Sequence, residues 1–98
     1  MAAQMIFDLE IWIEGSDEAI LVRADQRDMA AFENEYLLGT QEAIEKRPMV
    51  LFRYLGWSAL RRQGKAPTSK PERETWLEKV ISVEPLDGQE LDPTSPAA

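Results

Sequence analysis

Apolar and polar residues alternate strictly through residues 6–14, IFDLEIWIE. Phe7, Leu9, Ile11 and Ile13 fall on one face; Asp8, Glu10 and Glu14 fall on the other, together with Ile6 and Trp12. A period of two with aromatic and β-branched residues predicts a half-buried strand. Gly15-Ser16-Asp17 reads as a turn. A second strand follows at about residues 19–24, where Ile20 and Val22 alternate with Leu21 and Arg23. Two strands joined by a short polar loop make a hairpin, and its apolar face needs helices to cover it.

The period then changes to three and four. Asp25 caps a helix over about residues 26–38, with Asp28 three positions on in the place of a capping-box acid. Met29, Phe32 and Tyr36, joined by Leu37, form its apolar stripe. Gly39 reads as the stop, and Thr40 as the cap of a short turn over residues 41–46. Pro48 opens the next helix, which spans about residues 48–62 and ends before Gly64. Its apolar residues Leu51, Phe52, Leu55, Trp57, Ala59 and Leu60 wrap much of the circumference. Such a helix is either the centre of the fold or a groove that a partner covers. Residues 66–71 read as a loop, and Ser69 with Glu72 suggests a capping box for a last helix over about residues 70–83. Trp76, Leu77, Val80 and Ile81 would form its stripe. From Pro85 onward, PLDGQELDPTSPAA is rich in proline and poor in large apolar residues. The expected architecture is α+β: a single domain over residues 1–84, an N-terminal β-hairpin packed on three to four α-helices. A disordered, acidic, Pro-rich tail is expected over residues 85–98.

Composition narrows the chemistry. The 98 residues contain no cysteine and no histidine. Disulfides, thiolate metal sites, cysteine nucleophiles and imidazole bases are therefore excluded. No apolar run approaches the roughly 20 residues that span a bilayer. The first ten residues carry no basic stretch ahead of an apolar one, so no signal peptide and no membrane partner are expected. The carboxylate pairs Asp8/Glu10, Glu33/Glu35 and Glu42/Glu45 suit solvated strand and helix faces better than a cleft with separated pKa values. Ser58 has no G-x-S-x-G turn and no base. Gly56, Gly64 and Gly88 are isolated and build no phosphate cradle. The tail acids Asp87, Glu90 and Asp92 lack a calcium-loop pattern. No catalytic activity, cofactor or metal is expected.

Charge is uneven along the chain. No acid lies between Glu45 and Glu72, while Lys46, Arg47, Arg53, Arg61, Arg62, Lys65 and Lys70 give that stretch +7. With a net charge of −7, the rest of the chain carries −14. Either the basic helix lies against acidic neighbours, or it faces an acidic partner. The overall acidity argues against nucleic acid as that partner. Of the three tryptophans, Trp57 and Trp76 suit a core. Trp12 shares its strand face with acids, so either a helix covers that face or the indole is open to a partner.

Three segments, in order, carry a resemblance: ADQRDMAAFE at residues 24–33, PMVLFRYLGWSALRRQGK at 48–65, and WLEKVISVE at 76–84 followed by an acidic tail with Asp92-Pro93-Thr94. In that order and over nearly the whole length, the chain resembles the tail assembly chaperones of long-tailed (siphovirus-type) phages of actinobacteria. The resemblance implies a protein that coats the tape measure protein and keeps it soluble in the host cytoplasm. It also implies a rarer form, extended by ribosomal frameshifting, that recruits the major tail protein, and absence from the finished virion. On that resemblance, a chain ending in DPTSPAA would correspond to the short form. Client contacts are then expected from Phe52, Arg53, Trp57, Arg61 and Arg62 on the aromatic helix, with Trp12 on the strand. Self-association into a homo-oligomer fits the coating of a long client. The competing expectation is a small phage-encoded regulator or inhibitor that binds a host protein.

Overall fold

The computed structural model of the chain describes residues 6–86. The alternating segment forms β1 (Phe7–Ile13), and the next forms β2 (Ile20–Ala24). They pair antiparallel, with Phe7 opposite Ala24 and Ile11 opposite Ile20. Gly15 takes φ +85 in the connecting turn, a conformation that glycine adopts without a Cβ penalty. Four helices follow: α1 (Gln26–Tyr36), α2 (Thr40–Lys46), α3 (Pro48–Arg62) and α4 (Lys70–Glu78). The chain closes with β3 (Val80–Pro85), which pairs antiparallel with the other side of β1 and sets the sheet order β2-β1-β3. The fold class is α+β, as the patterning indicates.

Local signals at the helix starts are used as the chain writes them. The Asp25 side chain accepts the Arg27 amide at 2.9 Å, and the Asp28 carboxylate accepts the Asp25 amide at 3.0 Å, completing the capping box of α1. Ser69 accepts the Glu72 amide at the start of α4, and Pro48 occupies the first turn of α3.

Four expectations are corrected. The last helix stops at Glu78, and Val80 to Pro85 are a strand. A bulge between Trp12 and Ile13 leaves Ile81 out of register, so the buried residues of β3 are Val80 and Val83. Their spacing of three imitates a helix stripe, while their β-branched side chains favour the strand and the open edge of β1 accepts it. Second, α1 ends at Tyr36, and the left-handed residue that stops it is Leu37, at φ 55, not Gly39. Third, Gly39 precedes α2 and supplies no side-chain cap; Thr40 lies within the helix with its hydroxyl buried and unpartnered. The Thr40 amide is instead taken by the Glu33 carboxylate at 2.6 Å. Fourth, Pro85 belongs to β3 rather than to a tail, at an edge position where a missing amide costs nothing. The rest of the expected tail lies outside the described residues.

The core lies between the sheet and α3. Phe7, Leu9 and Ile11 of β1, Val22 and Ala24 of β2, and Val80 and Val83 of β3 present one buried face. Helix α3 crosses it with Leu51, Leu55, Ala59 and Leu60 fully or almost fully buried. Phe52 meets Phe7 edge-on at 5.5 Å. On the far side of α3, Tyr54 and Trp57 join Phe32 and Tyr36 of α1 in a chain of edge-on and tilted rings.

Helix and sheet come closest at Gly56. A Cβ there would sit 3.0 Å from Ile11 Cδ1 and 3.1 Å from Val83 Cγ1. Gly56→Ala gains about 1 kcal/mol of helix propensity and loses a similar amount to this squeeze. Gly56→Val adds two methyl groups against a β-branched strand residue, and we expect it to cost about 2 kcal/mol. Chemical denaturation of both variants checks this; equal stability of the valine and alanine variants would show that the sheet gives way.

Candidate protein-binding surface

The residues expected to meet a client are placed as follows. Phe52 and Trp57 are almost fully buried in the chain's own core. The Trp57 indole N–H donates to the Pro67 carbonyl at 2.8 Å. Arg53 is half-buried and donates to the carbonyls of Val80, at 3.0 Å, and Leu77, tying α3 to the junction of α4 and β3. Arg61 lies over the Trp57 ring at 5.2 Å. Arg62 forms two bonds to Asp28, at 2.9 and 2.7 Å. Trp12 is half-buried, opposite Ser82, on the sheet face away from α3. Helix α3 is thus the central core helix, and five of the six side chains hold the fold together. The expectation of an open groove along Phe52 and Trp57 is corrected on these grounds: the faces of the helix are already occupied by the sheet, α1 and α2.

Two buried ion pairs match α3 and α4 to the acidic first helix. Asp28 is wholly buried and accepts from Ser58 Oγ at 2.6 Å as well as from Arg62. Arg73 of α4 is 4% exposed, donates to both Glu35 oxygens at 2.9 and 2.6 Å, and lies under the rings of Trp57 and Tyr54. For Arg62, the matching of the basic segment to acidic neighbours is therefore internal.

What remains open lies at the periphery. Leu37 is 86% exposed, Met49 78% and Ile81 67%; Tyr36 and Val50 are also partly open. A groove of about 320 Å³ at the junction of α1, α2 and α3 is lined by Tyr36, Leu37 and Val50, with Glu42, Lys46 and Arg47 along its rim. Met49, next to Val50 at the start of α3, lines a smaller hollow together with Ile81 of β3. These five side chains make a broken apolar strip from the end of α1, across the first turn of α3, to the sheet edge. A separate open hollow of about 400 Å³ lies against α4, between Pro67, Pro71 and Trp76. Among the described residues, no three acids cluster as a metal site. No helix of the described chain is long and apolar enough to cross a membrane.

Carboxylates at the margins of α1 are held below their ordinary range. The Arg27 guanidinium, with smaller help from the Arg27 amide and the Arg62 charge, holds Asp25 at about 2. The Thr40 amide lowers Glu33, and Arg73 lowers Glu35. A depressed folded-state pKa contributes stability above the unfolded value and loses it as pH falls through the folded one. For Asp25 that window runs from 3.8 down to about 2. The melting temperature should therefore hold steady near neutrality and fall below pH 4, and Asp25→Asn should flatten the fall; a calorimetric pH series checks both.

Patterning also passes over Leu37 and Gly56. A leucine two positions before a glycine that reads as the stop carries no mark of a left-handed backbone. A lone glycine inside an apolar helix does signal a close approach, and that signal was readable. No protein-family model, no curated protein and no solved structure matches the chain.

Proposed function

We propose that the chain is a tail assembly chaperone of a long-tailed actinobacterial phage, which binds the tape measure protein and keeps it soluble until tail subunits polymerise around it. Support comes from the order of the three resembling segments along nearly the whole sequence. The observation that carries the reading is the exposed apolar strip, Leu37, Tyr36, Val50, Met49 and Ile81, on a small acidic domain. A holding chaperone needs apolar contact area for a helical client and surplus charge to keep the complex in solution. The client surface in this reading is the strip, not Phe52 and Trp57. On the same reading the protein acts in the host cytoplasm, has no catalytic role, recruits the major tail protein through a longer form, and is absent from the virion.

Co-expression with the tape measure protein from the same genome tests it. The expected result is that the long protein stays soluble and co-purifies only when this chain is present. Insolubility with and without it would remove the reading, and capture of a host protein in its place would favour an inhibitor.

A further inference from the structure

We infer that the groove at the junction of α1, α2 and α3 is a docking site for an amphipathic helix that carries an acidic residue, with Leu37 as its anchor. Leu37 combines a backbone that suits glycine with an apolar side chain left in solvent. Its backbone is left-handed, at φ 55 and ψ 42, where a branched side chain is crowded and glycine or asparagine is the usual choice. Its side chain is nevertheless the most exposed large apolar group among the described residues, at 86%. The backbone geometry itself is needed, because the Leu37 amide closes α1 by donating to the Glu33 carbonyl at 2.8 Å. The leucine is not needed for it: glycine would close the same bond without crowding. Strain at a residue that leaves its isobutyl group in water is explained when something covers that group.

The neighbours define the occupant. Three helices line the groove, so there is no strand edge to extend, and a helix laid into it by apolar residues at i, i+3 and i+4 is the mode that fits. Tyr36 and Val50 supply the apolar walls beside Leu37. Along the rim, Lys46 and Glu42 neutralise each other at 3.0 Å. Arg47 is exposed and has no ion-pair partner among the described residues. It sits at the start of α3, whose first turn carries no acid to match the positive end of the helix dipole. Both charges call for a carboxylate on the incoming helix. The inference supplies the contact residues for the chaperone reading and rests on it only for the identity of the natural client.

Fluorescence anisotropy with designed peptides tests it without that client. Two labelled helical peptides carry leucines at i, i+3, i+4 and i+7, one flanked by glutamates and one by lysines. The glutamate peptide should bind saturably and about tenfold more tightly than the lysine peptide. Leu37→Gly should weaken it roughly tenfold or more while the melting temperature holds or rises. Arg47→Glu should reverse the preference between peptides. The inference is overturned if neither peptide saturates, if Leu37→Gly leaves affinity unchanged, or if that variant melts lower than the parent. Continued solubilisation of the tape measure protein alongside any of those results would leave the chaperone reading standing and remove only this groove.

Discussion

Replacing Asp28 by alanine should cost about 3–5 kcal/mol, enough to leave a domain of this size barely folded. The carboxylate is wholly buried and takes four bonds. Oδ1 accepts from Ser58 Oγ at 2.6 Å and Arg62 Nε at 2.9 Å; Oδ2 accepts from Arg62 Nη2 at 2.7 Å and the Asp25 amide at 3.0 Å. Alanine would strand a half-buried guanidinium, a buried hydroxyl and the first amide of the capping box together. Because α1 and α3 meet through this residue, the loss falls on the contact between two helices and not on one terminus. Urea denaturation at neutral pH measures it, with an unchanged m-value showing that the same two states are compared. Asp28→Asn keeps the shape and one acceptor but turns an amide group toward Arg62, and should fall between alanine and the parent. Ser58→Ala removes one bond of four and should cost about 1 kcal/mol. A cost below about 1 kcal/mol for Asp28→Ala would mean that water enters the site and replaces the carboxylate.

The same network changes how a charge reversal at Arg61 and Arg62 should be understood. On sequence grounds the pair looks like a client-facing basic patch. Reversing Arg62 would set two carboxylates against each other in a buried site, so lost client binding would report lost folding. Reversal of Arg47 at the exposed rim is the clean alternative.

How legible each part was depends on how local its cause is. The capping box at Asp25 and Asp28, the proline that opens α3 and the alternation of β1 lie within a few residues of the structure they produce, and the patterning shows them. The bounds of α3 are read correctly from Pro48 to Arg62 for the same reason. The sequence pattern hides β3 because its pairing depends on β1, far back in the chain, and because the bulge gives Val80 and Val83 a helix-like spacing. The candidate site suffered from the same distance effect. Whether Phe52 and Trp57 face a client or the core depends on which surfaces of α3 the sheet and α1 take. That follows from tertiary packing, since an apolar helix looks the same in either case. Arg62 and Asp28 are 34 residues apart, and no local pattern pairs them.

The second large effect is expected at Glu35, and its sign depends on which partner is left behind. Arg73 lies 38 residues away in sequence and is buried beneath Tyr54 and Trp57, with its guanidinium carbon 5.3 and 4.7 Å from the ring centroids. Its side chain is 5% exposed, against 30% for Glu35. Glu35→Ala therefore strands a cation that cannot reach water, and should cost about 3 kcal/mol, the aromatic contacts making up part of what is lost. Arg73→Met keeps the bulk of the buried stem and strands a carboxylate that can turn toward solvent, so its cost should be smaller, about 1–2 kcal/mol. In the double variant, removing Glu35 should cost little once Arg73 is gone, which gives a coupling of about 2 kcal/mol in a double-mutant cycle. Acid separates this ion pair from simple packing. Arg73 depresses the Glu35 carboxyl below its ordinary 4.5, so the pair contributes fully above that value and fades as pH falls through the lowered one. The gap in stability between the parent and Glu35→Ala should accordingly narrow in acid. A gap that stays constant from neutrality downward would assign the loss to missing side-chain contacts and not to the buried charge.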